Sequence, residues 1–512
     1  MPKDKIQDNK RIAKNTLLLY VRMLLMMAIS LYTSRIVLAA LGVSDFGIYN
    51  VVGGFVALFT MVSGTMATAT QRFLSYEIGR GTQENIIRLF STSVMIHIML
   101  GVLILLLAET LGLWYVNNKM VFPPERLSAV NWVFQFSVLT LIINVLSVPY
   151  NASIIAYEKM AAFAYIGIVD AVLKLSVAYL VVVSTSDKLI LYAFLLMLIA
   201  IGNRLFYTIY VRRTFIFCRC NWRIDGEYRK SLLSFIGYNF IGSIANIGKT
   251  QGINVLLNLF FGTAVNAARG ISVQILHAVT GFVHNFQLAM NPQIIKLYAA
   301  GEKEEMFKLI FRGSKYSYLL VLILSLPIII ETPYILNLWL VEVPDHTVIF
   351  VRLTLAITLV DSLAPALLAG IHASGKVKNY QLTNGTMLMM TLPLVYLVLW
   401  LGCEPYMAFV ASLGISIICY FIRIVMLHFI TGFPMLAYLR QVTFRILLVT
   451  ILSLMIPMTV SFYKDSGFMW FVISIVVTVL STVIFVFFIG LTQVERKSVI
   501  IRIKSKCIRN NI

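Results

Sequence analysis

Gln71–Gly79 reads QRFLSYEIG and Gln293–Gly301 reads QIIKLYAAG. Both segments follow the pattern Q-x4-Y-x2-G, and each closes a long, largely apolar run. Other features recur in the same order. Gly42 ends the run before the first copy and Gly262 the run before the second, while Pro149 ahead of Lys159 is matched by Pro365 ahead of Lys376. Matches that keep their order and nearly keep their spacing indicate an internal duplication. Six runs per copy is an even number, so the copies are expected to run parallel, related by an axis along a membrane normal.

The runs set the fold class. Of 512 residues, 59% are hydrophobic and only 12% charged, where a soluble domain carries about 25% charged residues. Runs near 15–41, 46–76, 86–116, 128–156, 163–184, 189–212, 231–261, 265–298, 308–331, 347–374, 379–401, 405–430, 441–463 and 468–491 are long enough to cross a hydrocarbon core. They are continuous rather than alternating, which excludes a barrel, and a helix satisfies its own backbone groups in lipid. The expectation is an all-α polytopic membrane protein of about fourteen transmembrane helices. It comprises an N-terminal six-helix lobe (1–213), a basic connection (214–230), a second six-helix lobe (231–430), and two extra helices with a basic tail (431–512). No loop is long enough to hold a catalytic domain, so no enzyme is expected.

The formal charge of +20 would suggest nucleic acid in a soluble protein. Here the charges sit mainly in short loops and tails, where they orient the chain, and no nucleic-acid partner is expected. Five Lys or Arg lie in Met1–Lys14, six in Arg212–Lys230, five in Lys296–Lys315 and six after Thr492. The opposite side offers only Lys119, Arg126, Lys188, Arg352 and Lys464. Positive-inside bias then places both termini in the cytoplasm, with the first helix as an uncleaved anchor. Five Cys without paired spacing give no disulfide framework, metal site or cofactor site.

Polar stripes interrupt three of the runs. The eighth carries Asn266, Arg269, His277, Thr280, His284, Gln287 and Asn291, mostly three or four residues apart. The seventh carries Asn239, Ser243, Asn246, Lys249, Thr250, Asn254 and Asn258, and the second Asn50, Gly53, Gly64, Thr68, Gln71 and Ser75. Unpaired polar groups cost several kcal/mol in hydrocarbon. The stripes therefore either bond helix to helix or line water, and Arg269 with two His favours a water-filled cavity.

Ionisable residues sharpen this. Arg22, Arg35, Arg72, Lys249 and Arg269 all lie inside runs and are candidate substrate-binding cations. Lys249 is near mid-depth, whereas Arg72, Arg204 and Arg423 are placed to snorkel toward the N-terminal side, and Arg35 toward the other. Asp170 and Lys174, spaced i, i+4, form either a neutralising pair or an ion-coupling site. Asp361, just before the break expected at Pro365, and His277 and His284, seven apart, are further candidates for Na+ or H+ coupling. The excess of cations predicts a positive cavity, and Arg suits a phosphate because its fork bonds bidentately.

The segments RIVLAALGVSDFGIYNVVGG (Arg35–Gly54), ATQRFLSYEIGRG (Ala69–Gly81) and PYNASIIAYEKMAAFAYI (Pro149–Ile166) resemble polysaccharide-repeat (O-antigen type) flippases. These belong to the multidrug/oligosaccharidyl-lipid/polysaccharide (MOP) exporter superfamily, and the resemblance covers essentially the whole chain. It implies export of an undecaprenyl-pyrophosphate-linked oligosaccharide across a bacterial inner membrane through a cationic cavity, with a polysaccharide polymerase as a possible partner. Arg35 and Arg72 fall within the matched segments. The resemblance also implies coupling to Na+, H+ or membrane potential, and no sodium cage is visible.

Two other functions compete. A drug/cation antiporter of the same fold would want acidic groups in its cavity. A membrane polysaccharide polymerase or glycosyltransferase would want a loop with acid/base or sugar-nucleotide residues, and the short loops offer none.

Overall fold

A computed structural model describes residues 2–57, 60–80, 83–118, 124–261, 263–340, 343–462, 467–493 and 495–497. Lys119, Gly262, Lys464, Cys507 and the basic tail from residue 498 lie outside these, as do the side chains of Asn50, Asn258 and Asn266. Every regular element among the described residues is helical. We number the long helices α1 (Lys14–Gly42), α2 (Thr60–Arg80), α3 (Gln83–Asn118), α4 (Pro124–Ala156), α5 (Met160–Val183), α6 (Lys188–Thr214) and α7 (Gly226–Phe261). They continue as α8 (Thr263–Ala299), α9 (Lys303–Ile330), α10 (Thr347–Ser374), α11 (Lys378–Trp400), α12 (Met407–Thr431), α13 (Met435–Thr459) and α14 (Phe468–Gly490).

Among the described residues, eleven of these are long and apolar enough to cross a membrane, so the chain is a multi-pass membrane protein. The other three, α2, α7 and α8, are the polar-striped ones, whose hydropathy the stripes lower. Most helices overrun the apolar runs by a few residues. α3, for example, starts with a turn that pairs Glu84 with Arg88 at 2.5 Å, because a helix continues past the hydrocarbon where charged side chains meet water. Gly42 carries φ 76° and ψ 169°, and this breaks α1 from the arm that continues to Ala57. Only a residue without Cβ adopts that conformation at little cost. The break expected near Pro365 lies at Ser362–Leu363 inside α10.

The chain divides into two compact units, 1–243 with 288–302, and 244–287 with 303–512. α7 and α8 each pass from one unit to the other. In the first unit, Ala129, Val130, Val133, Phe134, Val138, Leu141 and Val145 form one buried stripe of α4. It packs on Ile48 and Val52 of the arm, Ile104 and Ala108 of α3, and Leu189 and Ala193 of α6. At one end Arg126 bridges Asp45 and Asp187, with 2.7 Å to the latter. At the N-terminal end the 215–225 connection is pinned to α3: Asn221 N–H donates to Ser91 Oγ and Asp225 N–H to Thr92 Oγ1, both at 2.9 Å.

The second unit centres on Ile253, Leu257, Val265, Ala268, Phe350, Val395, Leu399, Ala408 and Phe409, drawn from α7, α8, α10, α11 and α12. α14 inverts the soluble pattern. Val472, Val476, Leu480, Val483 and Phe488 are exposed, while Ser474, Thr478, Ser481 and Thr482 are buried. Small hydroxyls let helices approach closely where lipid already solvates the apolar face. Glu495, beyond α14, accepts from Lys315 Nζ of α9 at 2.6 Å and ties the two helices together.

Candidate functional site

The second unit gathers several of the charges expected inside the membrane. Lys249 of α7 interacts electrostatically with Asp361 of α10, Arg423 of α12 and Arg269 of α8. Asp361 stands in the last turn before the α10 break, with Ser416 Oγ 3.5 Å from its Oδ2. Arg423 donates from Nε to the Tyr380 hydroxyl at 3.2 Å. Arg269 is 6% exposed. Its Nη2 donates to the Thr250 carbonyl at 2.9 Å and its guanidinium lies 5.6 Å from the Phe409 ring centre. α7 and α8 follow one another directly, so Thr250 and Arg269 meet as antiparallel neighbours.

Among the described residues, three cations thus stand with one carboxylate. In a low-dielectric setting that imbalance attracts anions strongly. Arg269 Nε and Arg423 Nη1 are buried without a hydrogen-bond partner. Buried donors normally find one, so these are free to serve an anion's oxygens or ordered water. Nearby, Asn246, Thr250 and Gln251 of α7 and His277 and His284 of α8 are exposed at membrane depth. Exposed polar groups on helices of this length need water rather than lipid.

In the first unit Arg22 lies in a seat of its own. Its guanidinium is 4.1 Å from the Phe163 ring centre. A Cβ at Gly167 would fall 2.3 Å from Arg22 Nε, so the glycine makes the seat possible. Arg22 also feels the charge of Asp170. Asp170 itself accepts from Lys174 Nζ at 2.8 Å and from Asn203 Nδ2 at 2.7 Å. Arg35 is exposed on α1.

Two expectations need correction. Arg72 and Arg423 do not snorkel: they are 6% and 7% exposed. Arg72 stacks on Phe73, Tyr76 and Phe235 with ring centres 4.4, 5.0 and 5.8 Å away. Aromatic faces on neighbouring turns and on α7 offer it a better place than the interface does. Arg423 bonds to Tyr380 and feels the charge of Asp361, which sequence distance concealed. Its signal was nevertheless present, because Ser416, Cys419 and Arg423 recur at 3 and 4 residues on one face of α12. Gly167 had no such signal. Among the described residues no group of His, Cys, Asp or Glu is placed to hold a metal ion.

No family model matches the chain and no curated protein matches it in sequence. Solved structures do match in shape. A MATE transporter in complex with MaD3S superposes with TM-score 0.72 at 12% identity, covering 83% of this chain and 97% of its own. An outward-facing multidrug resistance MATE family transporter of the MOP superfamily gives 0.69 at 12% identity, with 84% and 97% covered. A MOP superfamily transporter from Pyrococcus furiosus Vc1 (DSM3638), described as having a binding pocket of reverse polarity that suggests a different function, gives 0.68 at 12% identity, with 83% and 96% covered. At these identities the likeness concerns fold alone, and this chain shares the fold of the MATE transporters of the MOP superfamily.

Proposed function

We propose that this protein is a flippase that moves a polyprenyl-pyrophosphate-linked oligosaccharide from the cytoplasmic to the periplasmic leaflet of a bacterial inner membrane. The observation that carries this reading is the grouping of Lys249, Arg269 and Arg423 with a single carboxylate, Asp361. A pyrophosphate brings several negative oxygens, and a site with surplus guanidinium and ammonium donors offsets their desolvation. Arg22, with Nε buried and unpartnered, is a buried cation of the first unit. The transporter from Pyrococcus furiosus supports the idea that this fold tolerates a pocket of reversed polarity.

Asp361 is the best-placed group for Na+ or H+ coupling, since Asp170 is already bonded to Lys174 and Asn203. His277 and His284, exposed on α8, are further candidates for the coupling. Arg35 and Arg72 are assigned to the path of the lipid-linked substrate, and both termini to the cytoplasm. A polysaccharide polymerase is the natural consumer of the flipped product.

The test is a leaflet-specific assay on reconstituted protein with lipid-linked oligosaccharide. A flippase moves intact lipid to the opposite leaflet. A polymerase or glycosyltransferase would change its mass. A drug/cation antiporter would leave it in place and exchange an organic cation instead; either outcome would end this proposal.

A further inference from the structure

Glu158 lies in the turn between α4 and α5 and makes no part of the cation groups described above. Its side chain is 2% exposed, yet it is a carboxylate. Its Oε1 is 2.5 Å from Lys296 Nζ and its Oε2 accepts from Gln293 Nε2 at 2.8 Å. Its backbone carbonyl accepts from Asn15 Nδ2 of α1 at 3.3 Å. Its φ is +59°, a left-handed conformation that costs a non-glycine residue about 1–2 kcal/mol unless the surroundings over-determine it. Two helices, α1 and α8, therefore hold one strained, buried acid. Gln293 and Lys296 belong to the second copy of the repeated Q-x4-Y-x2-G motif.

The first copy meets the second at the same place. A Cβ at Gly79 would fall 2.7 Å from the Lys296 carbonyl oxygen and 2.9 Å from Ala299 Cβ. The last turns of α2 and α8 thus touch backbone to backbone, which only a glycine permits. The glycine of one motif and the Gln and Lys of the other converge, and residues 288–302 are held in the first unit while the rest of α8 belongs to the second.

We propose that the two motif copies and Glu158 form a clasp at the N-terminal face, which releases the inner end of α8 each time the transporter opens on that side. The clasp joins a buried ion pair, an amide bond to the same carboxylate and a glycine contact, beside the buried Ala289, Met290, Ile294 and Ile295 of α8. The clasp does not depend on which substrate is carried.

Two experiments test it. In the first, Gly79→Ala sets a Cβ against the Lys296 carbonyl and should quicken amide hydrogen exchange of 288–302 about tenfold. An unchanged rate would overturn the proposal. The second measures amide hydrogen exchange of 288–302 in the full-length protein, with Glu158→Gln and with the swap Glu158→Lys plus Lys296→Glu. Exchange there should quicken about tenfold in Glu158→Gln and return toward the wild-type rate in the swap, while 303–330 is unchanged. An unchanged rate in Glu158→Gln, or the same quickening along the whole of α9, would refute the clasp. Neither experiment needs a substrate, so failure of the flippase reading and failure of the clasp are separable.

Discussion

Gly167→Ala adds one methyl group in the middle of α5, and its consequences follow from the Arg22 seat. The new Cβ would lie 2.3 Å from Arg22 Nε and 2.9 Å from Nη2. Those atoms end a flexible side chain, so the guanidinium moves rather than the helices. Moving it forfeits the Phe163 contact, worth about 0.5–2 kcal/mol. Alanine in a helix interior regains about 0.8–1 kcal/mol over glycine. The two nearly cancel, so stability should change by no more than about 1 kcal/mol. Function should not be spared. If Arg22 contacts the pyrophosphate, its displacement removes a charge-assisted bond worth about 1.5–3 kcal/mol, a loss of roughly tenfold to hundredfold. The assay is leaflet-specific translocation in proteoliposomes, with thermal unfolding alongside, for Gly167→Ala, Arg22→Ala and the double variant. The double variant should be no worse than Arg22→Ala, because both changes act through one guanidinium. Wild-type transport by Gly167→Ala, or losses that multiply in the double variant, would show that Gly167 does not work by seating Arg22.

Arg269→Ala and Lys249→Ala should each cut transport roughly tenfold to hundredfold, from the worth of a charged hydrogen bond, with Arg269→Lys between and Arg269→Glu below Ala; normal transport by inserted Arg269→Glu and Lys249→Glu would end the cationic-site mechanism. Glu495 makes a pH-dependent tie. Burial pushes its carboxyl upward, but the Lys315 bond, helped by Thr492 N–H and Tyr316, outweighs this and holds it down to about 2, below the usual 4.5. Its contribution is therefore complete above about 4.5 and is lost as pH falls toward 2. Thermal stability in detergent should fall more steeply over that window in the wild type than in Glu495→Gln, and equal slopes would remove the tie from consideration. For topology, thiols placed at the exposed Ser186 and Asp345 in a cysteine-free background should react with an impermeant reagent from the periplasm, and one at Arg223 should not. The reverse pattern would invert the orientation. Arg223 is preferred to Asp225, whose carboxylate accepts from the Glu227 and Tyr228 amides and caps the start of α7.

The helices were legible from the chain because transmembrane helices are local objects. Each must satisfy its own backbone groups, so length and apolarity alone placed α3 and α14 within a few residues. The polar stripes were legible for the same reason: they follow helical spacing, and they mark α2, α7 and α8 as unlike the other eleven. The identity of the intramembrane cations was also plain, since a charge in an apolar run needs no alignment to be noticed. What each cation touches was a different matter. Arg423 looked free to snorkel until Tyr380, 43 residues earlier, proved to hold it. Arg22 depends on Gly167, which in sequence is one glycine among many. The repeated Q-x4-Y-x2-G motif announced a duplication, but not that Gly79 of one copy rests on Lys296 of the other. These are pairings between helices far apart in the chain, chosen by packing shape and by the cost of burying an unpaired charge. Periodicity along one helix carries no information about which neighbour answers it.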